Sequence, residues 1–177
     1  STPSLKVPFP TPYTVTFSKG TGGSSETAKY NSTSFNSGTK VQSGKPVTFT
    51  QTPSAGYAFK EWNTKSDGKG TTLSTNATYT HTVVATNTIY AIYTKKPDKT
   101  IYLEPTGHWN PDKAVFQAHV WQTGETTGVN LNMTGVGEPS YADSDNKSPY
   151  KYYKVEIPAE YDNILFFRKD KFITANE

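Results

Sequence analysis

The sequence predicts an all-β protein made of two small domains. Aromatic residues make up 14% of the 177 residues, although the hydrophobic fraction is only 33%. Tyr, Phe, Val and Thr suit the half-buried surface of a sheet, whereas the helix formers Leu, Ala and Glu are scarce by comparison. Short alternating runs recur between turns rich in Gly, Asn and Pro, which is the pattern of consecutive strands. The length suits one large or two small domains.

The first elements belong to a domain predicted over residues 13–96. Residues 1–12 are proline-rich and aperiodic, so we expect an extended lead-in. Tyr13–Phe17 alternates and ends in the turn signal KGTGGSS, and Val47–Pro53 forms a later strand. About six short strands are expected in this domain, with room for little else than a turn around Ser32–Asn36.

The middle of this domain carries its bulkiest residues. The run GYAFKEWNT supplies Tyr57, Phe59 and Trp62 to the expected core. The loop KSDGKG has Asp-Gly at Asp67–Gly68, which favours a hairpin or a bulge. The following ATYTHTVVATNTIYAIYTKK predicts two further strands joined near Ala85–Thr88.

The core segment Gly56–Trp62 and the closing aromatic strand Ile89–Tyr93 resemble a known family. Over about residues 13–95, the chain is similar to the internalin-type B-repeat, also called the Listeria–Bacteroides repeat. The resemblance implies a small β spacer of a bacterial surface protein, often beside adhesive or glycan-binding modules. It also implies that Trp62 lies in the core and does not bind a ligand.

The boundary between the domains is predicted at Lys95–Lys99, KKPDK. Proline cannot donate to a strand ladder and the flanking charges need solvent, so a strand ends here. The second domain is then expected over residues 100–177.

An alternating strand in the second domain has two different faces. One face consists of the apolar residues Ala114, Phe116, Ala118 and Val120, and the other of Val115, Gln117, His119 and Trp121. The first face suits a core. The second combines a flat ring with hydrogen-bonding groups, which is what a sugar requires. Two interpretations of Trp121 remain open: a ligand platform, or an edge residue that closes a small sandwich.

This strand and its surroundings also resemble a family. Over about residues 100–172 the order IYLEP, GHWN, AVFQAHVW, YKYYKVEIP and AEYDNILFFR is similar to the starch-binding modules of carbohydrate-binding family 26. The resemblance implies a β-sandwich that binds α-glucans without cleaving them. Gln117 and His119 replace aromatic residues that the family usually carries on this strand, and Val129 stands where a further tryptophan is expected.

The resemblance and the two-faced strand together define a candidate sugar site. Its residues are Tyr102, Trp109, Lys113, Gln117, His119 and Trp121. Sugar rings would stack on Trp121 or Trp109, the polar side chains would bond hydroxyls, and Tyr102 would flank the groove. The alternative is a structural spacer or adhesive pair of modules, in which tyrosines 150, 152 and 153 contact a protein partner. Against such a patch, the alternation of the strand predicts that Tyr153 and Val155 lie in the core instead.

The remaining patterns exclude several function classes. The histidines 81, 108 and 119 have no metal-ligand spacing and the chain has no cysteine, so neither a metal site nor a cofactor is predicted. The run ADSDN lacks the glycine and distal glutamate of a calcium-binding loop and suits an acidic hairpin. No opposed carboxylates or nucleophile motif suggest catalysis, so the protein is not predicted to be an enzyme.

Charge and hydropathy limit the classes of partner that the chain is expected to have. The net charge is only +3 and the lysines form no basic stripe, which argues against nucleic acid. No apolar run reaches the ~20 residues that span a bilayer. We interpret the chain as an excerpt from a longer exported polypeptide, located outside the cell or on a bacterial surface.

Overall fold

The computed structural model describes residues 8–105, 115–137 and 150–169. Within those residues the regular secondary structure consists of fifteen strands, which confirms the predicted all-β class. Contacts divide the chain into two compact units, Ser1–Lys95 and Lys96–Glu177. The last strand of the first unit ends at Lys95 and the next strand begins at Lys99.

The first unit contains two sheets. Its nine strands are β1 (Pro12–Lys19), β2 (Gly23–Tyr30), β3 (Thr33–Phe35), β4 (Thr39–Gln42), β5 (Pro46–Pro53), β6 (Tyr57–Asn63), β7 (Thr72–Ser74), β8 (Thr78–Thr82) and β9 (Asn87–Lys95). One sheet has the order β4-β1-β9-β6-β7 and the other β3-β2-β5-β8. The pair β1–β9 is parallel, and every other pair in these two sheets is antiparallel.

The core of the first unit draws on both sheets, and Trp62 lies at its centre. Trp62 is fully buried and donates from Nε1 to the Asn76 carbonyl oxygen at 2.9 Å. Its ring lies 5.9 Å from that of Phe49 and 5.5 Å from that of Phe59. Aromatic pairs at these distances add stabilisation beyond the area they bury. The prediction that Trp62 is a core residue is therefore confirmed, and Phe59 and Tyr57 pack partly buried against the same core.

The turns of the first unit follow local chemistry. Gly68 has φ of +72° and donates from its backbone nitrogen to the Lys65 carbonyl at 3.1 Å, inside the hairpin that joins β6 and β7. This confirms the predicted hairpin at Asp67–Gly68. The segment around Ser32–Asn36 holds β3 and not only a turn, because Asn31 and Ser32 both adopt positive φ and join β2 to β3 directly.

The second unit contains two three-stranded sheets. Its strands are β10 (Lys99–Leu103), β11 (Phe116–Trp121), β12 (Gly128–Asn132), β13 (Thr134–Val136), β14 (Tyr152–Ile157) and β15 (Asn163–Arg168). The orders are β10-β14-β13 and β12-β11-β15, all antiparallel. Ala118 and Val120 from one sheet share a buried cluster with Val155 and Ile157 from the other. The unit is therefore built like a β-sandwich, with its core between the sheets.

Candidate functional site

The two faces of β11 separate as their alternation predicts. Phe116, Ala118 and Val120 are buried and direct their side chains toward the core. His119 and Trp121 are half-buried on the opposite face, where Gln117 is 8% exposed. A strand in the middle of a sheet therefore presents a core face and an outward face, and the outward one carries the polar and aromatic side chains.

Strand register extends this outward surface onto both neighbours of β11. Residues directly opposite one another share a face, so β12 and β15 each contribute three residues. We call this surface the outer face, and it consists of Gln117, His119, Trp121, Gly128, Asn130, Asn132, Asn163, Leu165 and Phe167. Of these nine residues, only the three on the central strand were predicted from the sequence.

Amide side chains of β12 hold the polar residues of β11 in place. His119 Nδ1 lies 2.7 Å from Asn130 Oδ1, and since an amide oxygen only accepts, Nδ1 carries the proton and donates. In the neutral imidazole, Nε2 is then an acceptor. Gln117 Nε2 donates to Asn132 Oδ1 at 2.5 Å. Both hydrogen bonds cross from one strand to the next, so they fix side-chain orientation along the outer face.

His119 and Trp121 form a ring pair above a glycine. Their ring centroids are 5.6 Å apart with an interplanar angle of 32°. A Cβ atom at Gly128 would lie 2.8 Å from His119 Nε2 and 2.3 Å from the Val120 carbonyl oxygen. Any larger residue would therefore displace the imidazole or the backbone of β11. Sequence reasoning missed Gly128, although a glycine opening a strand is a signal of close approach.

Hydrogen bonds brace the end of β11 at Trp121. Asn163 Nδ2 donates to the Trp121 carbonyl at 3.4 Å and to Thr123 Oγ1 at 3.0 Å. Asp162 accepts from both the backbone nitrogen and the hydroxyl of Thr123, each at 2.7 Å. These Thr123 bonds hold the pKa of the Asp162 carboxyl below its ordinary value. Asp162 and Asn163, from the run AEYDNILFFR, therefore anchor the end of β11 that carries Trp121.

Apolar residues of β15 complete the outer face. Leu165 lies opposite His119 and is 59% exposed, and Phe167 lies half-buried opposite Gln117. An exposed leucine beside an imidazole leaves apolar surface for a ligand. The alternation of NILFFR places Leu165 and Phe167 on one side of β15, but only the pairing of β15 with β11 shows that this side belongs to the outer face.

The other predicted site residues do not join this surface. Tyr102 is 59% exposed, but it lies on β10 opposite Lys154 in the other sheet. Its neighbour Ile101 packs on the core, so alternation directs Tyr102 to the far side of the unit. The structure therefore does not bring Tyr102 to the outer face, because β10 pairs with β14 and not with β11. Trp109 and Lys113 lie outside the described residues.

The three tyrosines of the alternative interaction surface do not form one patch. Tyr153 is 4% exposed and its ring lies 4.5 Å from that of Phe116, which confirms its expected core position. Tyr152 is half-buried, with Lys151 Nζ 5.1 Å from its ring centroid. Tyr150 is 42% exposed and its ring occupies the space where Gly135 would carry a Cβ.

Apart from the imidazole of His119, the outer face carries only uncharged side chains. Its other polar groups are amides and an indole, and no acidic or lysine side chain belongs to it. Among the residues that the structure describes, no three His, Cys, Asp or Glu side chains gather as a metal site. That part of the chain also has no helix long and apolar enough to cross a membrane.

No family model, curated protein or solved structure matches this chain.

Proposed function

We propose that the second unit is a non-catalytic glycan-binding module of a secreted or surface-anchored bacterial protein. The observation that carries this proposal is the His119–Trp121 ring pair set among amides on the outer face. Sugars present apolar C–H faces and neutral hydroxyls, so they bind best where a ring lies beside neutral donors and acceptors.

The outer face offers each kind of contact that a pyranose needs. A sugar ring stacks on the indole of Trp121, and Leu165 extends the apolar contact. Asn130 and Asn132 use their amide oxygens to accept from β11, so the amide nitrogens remain as donors toward hydroxyls. The Gln117 amide oxygen accepts. None of these groups polarises a glycosidic bond, which supports binding without cleavage.

The binding strength follows from the small size of the platform. One stacked aromatic ring contributes on the order of 1 kcal/mol beyond the area that it buries. Together with a few hydroxyl contacts, this corresponds to Kd values of roughly millimolar to high micromolar. Modules of this strength act through several copies or beside other domains, since linkage raises their effective concentration.

Among glycans we favour starch or another α-glucan as the ligand. This preference rests on the similarity of residues 100–172 to family 26 starch-binding modules. Gln117 and His119 in place of aromatic residues make the outer face more polar than in that family. A more polar face favours hydroxyl contacts over stacking, so affinity should depend on Trp121 more than on any other side chain.

The decisive experiment is a titration of the intact chain with maltoheptaose, followed by tryptophan fluorescence and calorimetry. We expect saturable binding that Trp121→Ala weakens by about tenfold or more. Tyr102→Ala is the matched control, because it removes an exposed ring from the far side of the same unit and should leave Kd unchanged. An absence of binding at millimolar sugar would refute the α-glucan proposal. Binding that survives Trp121→Ala would place the sugar elsewhere.

A spacer or adhesive role is the second candidate. It is supported by the first unit, whose Trp62 is fully buried in a core of aromatic rings and offers no platform. If no glycan binds, the exposed Leu165 and half-buried Trp121 would instead suit a protein partner. In that case Trp121→Ala would abolish capture of a purified protein partner and Tyr102→Ala would not.

A further inference from the structure

The first unit contains a cavity of about 270 Å³ between the free edges of its two sheets. β3 is the last strand of one sheet and β4 is the last strand of the other. The cavity is lined by Tyr30, Thr33, Phe35, Thr39, Lys40, Val41, Gln42 and Lys45. This cavity lies in the first unit and is distinct from the outer face of the second.

The floor of the cavity is apolar and firmly held. Val41 is 7% exposed in the core, and the Phe35 ring packs edge-on against Phe17 at 6.0 Å. The adjoining turn is tied to the body of the unit, since Gly44 donates to the Val83 carbonyl at 2.7 Å and Val83 donates to the Lys45 carbonyl at 3.0 Å. The cavity is therefore a preformed recess for an apolar group.

The rim of the cavity is basic. Lys40 is exposed on β4 and Lys45 is half-buried in the following turn, while no lining residue is acidic. A ligand that fills the recess therefore gains from carrying negative charge on either side of its apolar group. Small-molecule pockets usually enclose roughly 300–1,000 Å³, so the volume here suits a single side chain better than a whole organic ligand.

The strand beside the recess is open to pairing. β4 pairs with β1 along one edge, and the sheet order ends at β4. In an antiparallel ladder, alternate residues direct their backbone N–H and C=O groups away from the partner strand. Such an edge accepts an added strand, whose alternate side chains then enter pockets beside it.

We propose that this edge and recess bind an extended acidic peptide segment of a partner protein. The peptide backbone pairs with β4, one apolar side chain enters the recess beside Phe35 and Val41, and flanking carboxylates face Lys40 and Lys45. This assigns the first unit a recognition surface of its own.

The test uses the full chain and a terminally blocked heptapeptide, Thr-Glu-Thr-Phe-Thr-Glu-Thr, in which both glutamates share a face with the central phenylalanine. We expect amide shift changes in NMR spectra confined to residues 30–45, with a Kd on the order of 0.1–1 mM. Lys40→Glu with Lys45→Glu should weaken binding roughly twofold to fivefold for each lysine. Lys65→Glu with Lys69→Glu is the control: it changes the net charge equally, in a loop that does not line the recess.

Three peptide analogues decide between this proposal and its rivals. Replacing the central phenylalanine by alanine, or both glutamates by lysine, should abolish binding. N-methylation of alternate peptide nitrogens should also abolish it, because the ladder cannot form. Equal binding of the lysine peptide, shifts outside residues 30–45, or an unchanged Kd in the Lys40→Glu, Lys45→Glu variant would overturn the proposal. Shifts at 30–45 that depend only on protein concentration would overturn it in favour of self-association.

Discussion

Burial in the first unit disfavours ionisation of the Glu26 carboxyl. Both of its carboxylate oxygens are buried without a hydrogen-bond partner among the described residues, as are Gln51 Oε1 and Tyr93 Oη. Gln51 lies directly opposite Glu26 in the β2–β5 pair. Burial raises the pKa of Glu26 to about 8, and burial followed by the Glu26 charge raises the pKa of Tyr93 to about 12. Below about pH 8, a neutral carboxyl is therefore the stable form of Glu26 in the fold.

This shift predicts that stability falls as the pH rises. The folded pKa lies above the ordinary 4.5, so between pH 4.5 and about 8 the unfolded chain releases a proton that the folded chain retains. Glu26→Gln keeps the shape and removes the charge. We expect the variant to match the wild type near pH 4.5 and to exceed its free energy of unfolding by about 1–2 kcal/mol at pH 8.5, allowing for partial exposure.

Urea denaturation of the wild type and of Glu26→Gln, from about pH 4.5 to 8.5, measures the difference in their free energies of unfolding. His81 also titrates here, because burial lowers its pKa and its protonation destabilises the fold at acid pH. Its effect is common to both proteins and cancels in the comparison. A difference that does not vary with pH would show that Glu26 ionises freely in the folded chain.

Gly128 has no side chain, and this allows β12 to lie close to the backbone of β11 and to the His119 ring. Gly128→Ala would bring a Cβ to 2.3 Å from the Val120 carbonyl oxygen and 2.8 Å from His119 Nε2. We expect a loss of about 1–3 kcal/mol in the free energy of unfolding. Displacement of the imidazole from Trp121 should also change the His119 ring signals in NMR spectra.

Val129→Ala is the matched control for this change. Val129 is the next residue on β12 and is 41% exposed, so its truncation should cost under about 1 kcal/mol. If Gly128→Ala were as stable as Val129→Ala and kept the His119 signals, the close approach of the imidazole to β12 would be disproved.

Sequence patterns identified several of the longer strands but missed the eight-residue β2 and the short strands, so about six strands were expected where the first unit has nine. Alternation was readable in runs such as Tyr13–Phe17 and Val47–Pro53 because five or more residues display period two. The three-residue strands β3, β7 and β13 are too short to show a period. A turn was expected around Ser32–Asn36, whereas the β2–β3 turn lies at Asn31 and Ser32, which both adopt positive φ.

The candidate site was predictable only as far as one strand. The faces of β11 could be read from its own alternation, but Gly128 and Leu165 join them through register, which depends on strand pairing. The same dependence applies to Tyr102, because the sequence alone does not show that β10 pairs with β14 in the other sheet.

Each of the two units has a buried core of its own, so each should fold alone. A fragment of residues 1–95 contains the complete cluster around Trp62. We expect it to unfold cooperatively, with the blue-shifted fluorescence of a buried indole that shifts to the red on denaturation. Trp62 is its only tryptophan, so the signal is unambiguous. Emission typical of an exposed indole in the native buffer would contradict this expectation.

The parallel pairing of β1 with β9 gives the first unit a mechanical property. These strands begin and end the unit, and because they run in the same direction, a pull on both ends of the unit draws them past each other. The hydrogen bonds between Val15–Lys19 and Asn87–Ala91 are then loaded together in shear and do not open one after another. This geometry should resist tension applied along the chain from one end of the unit to the other.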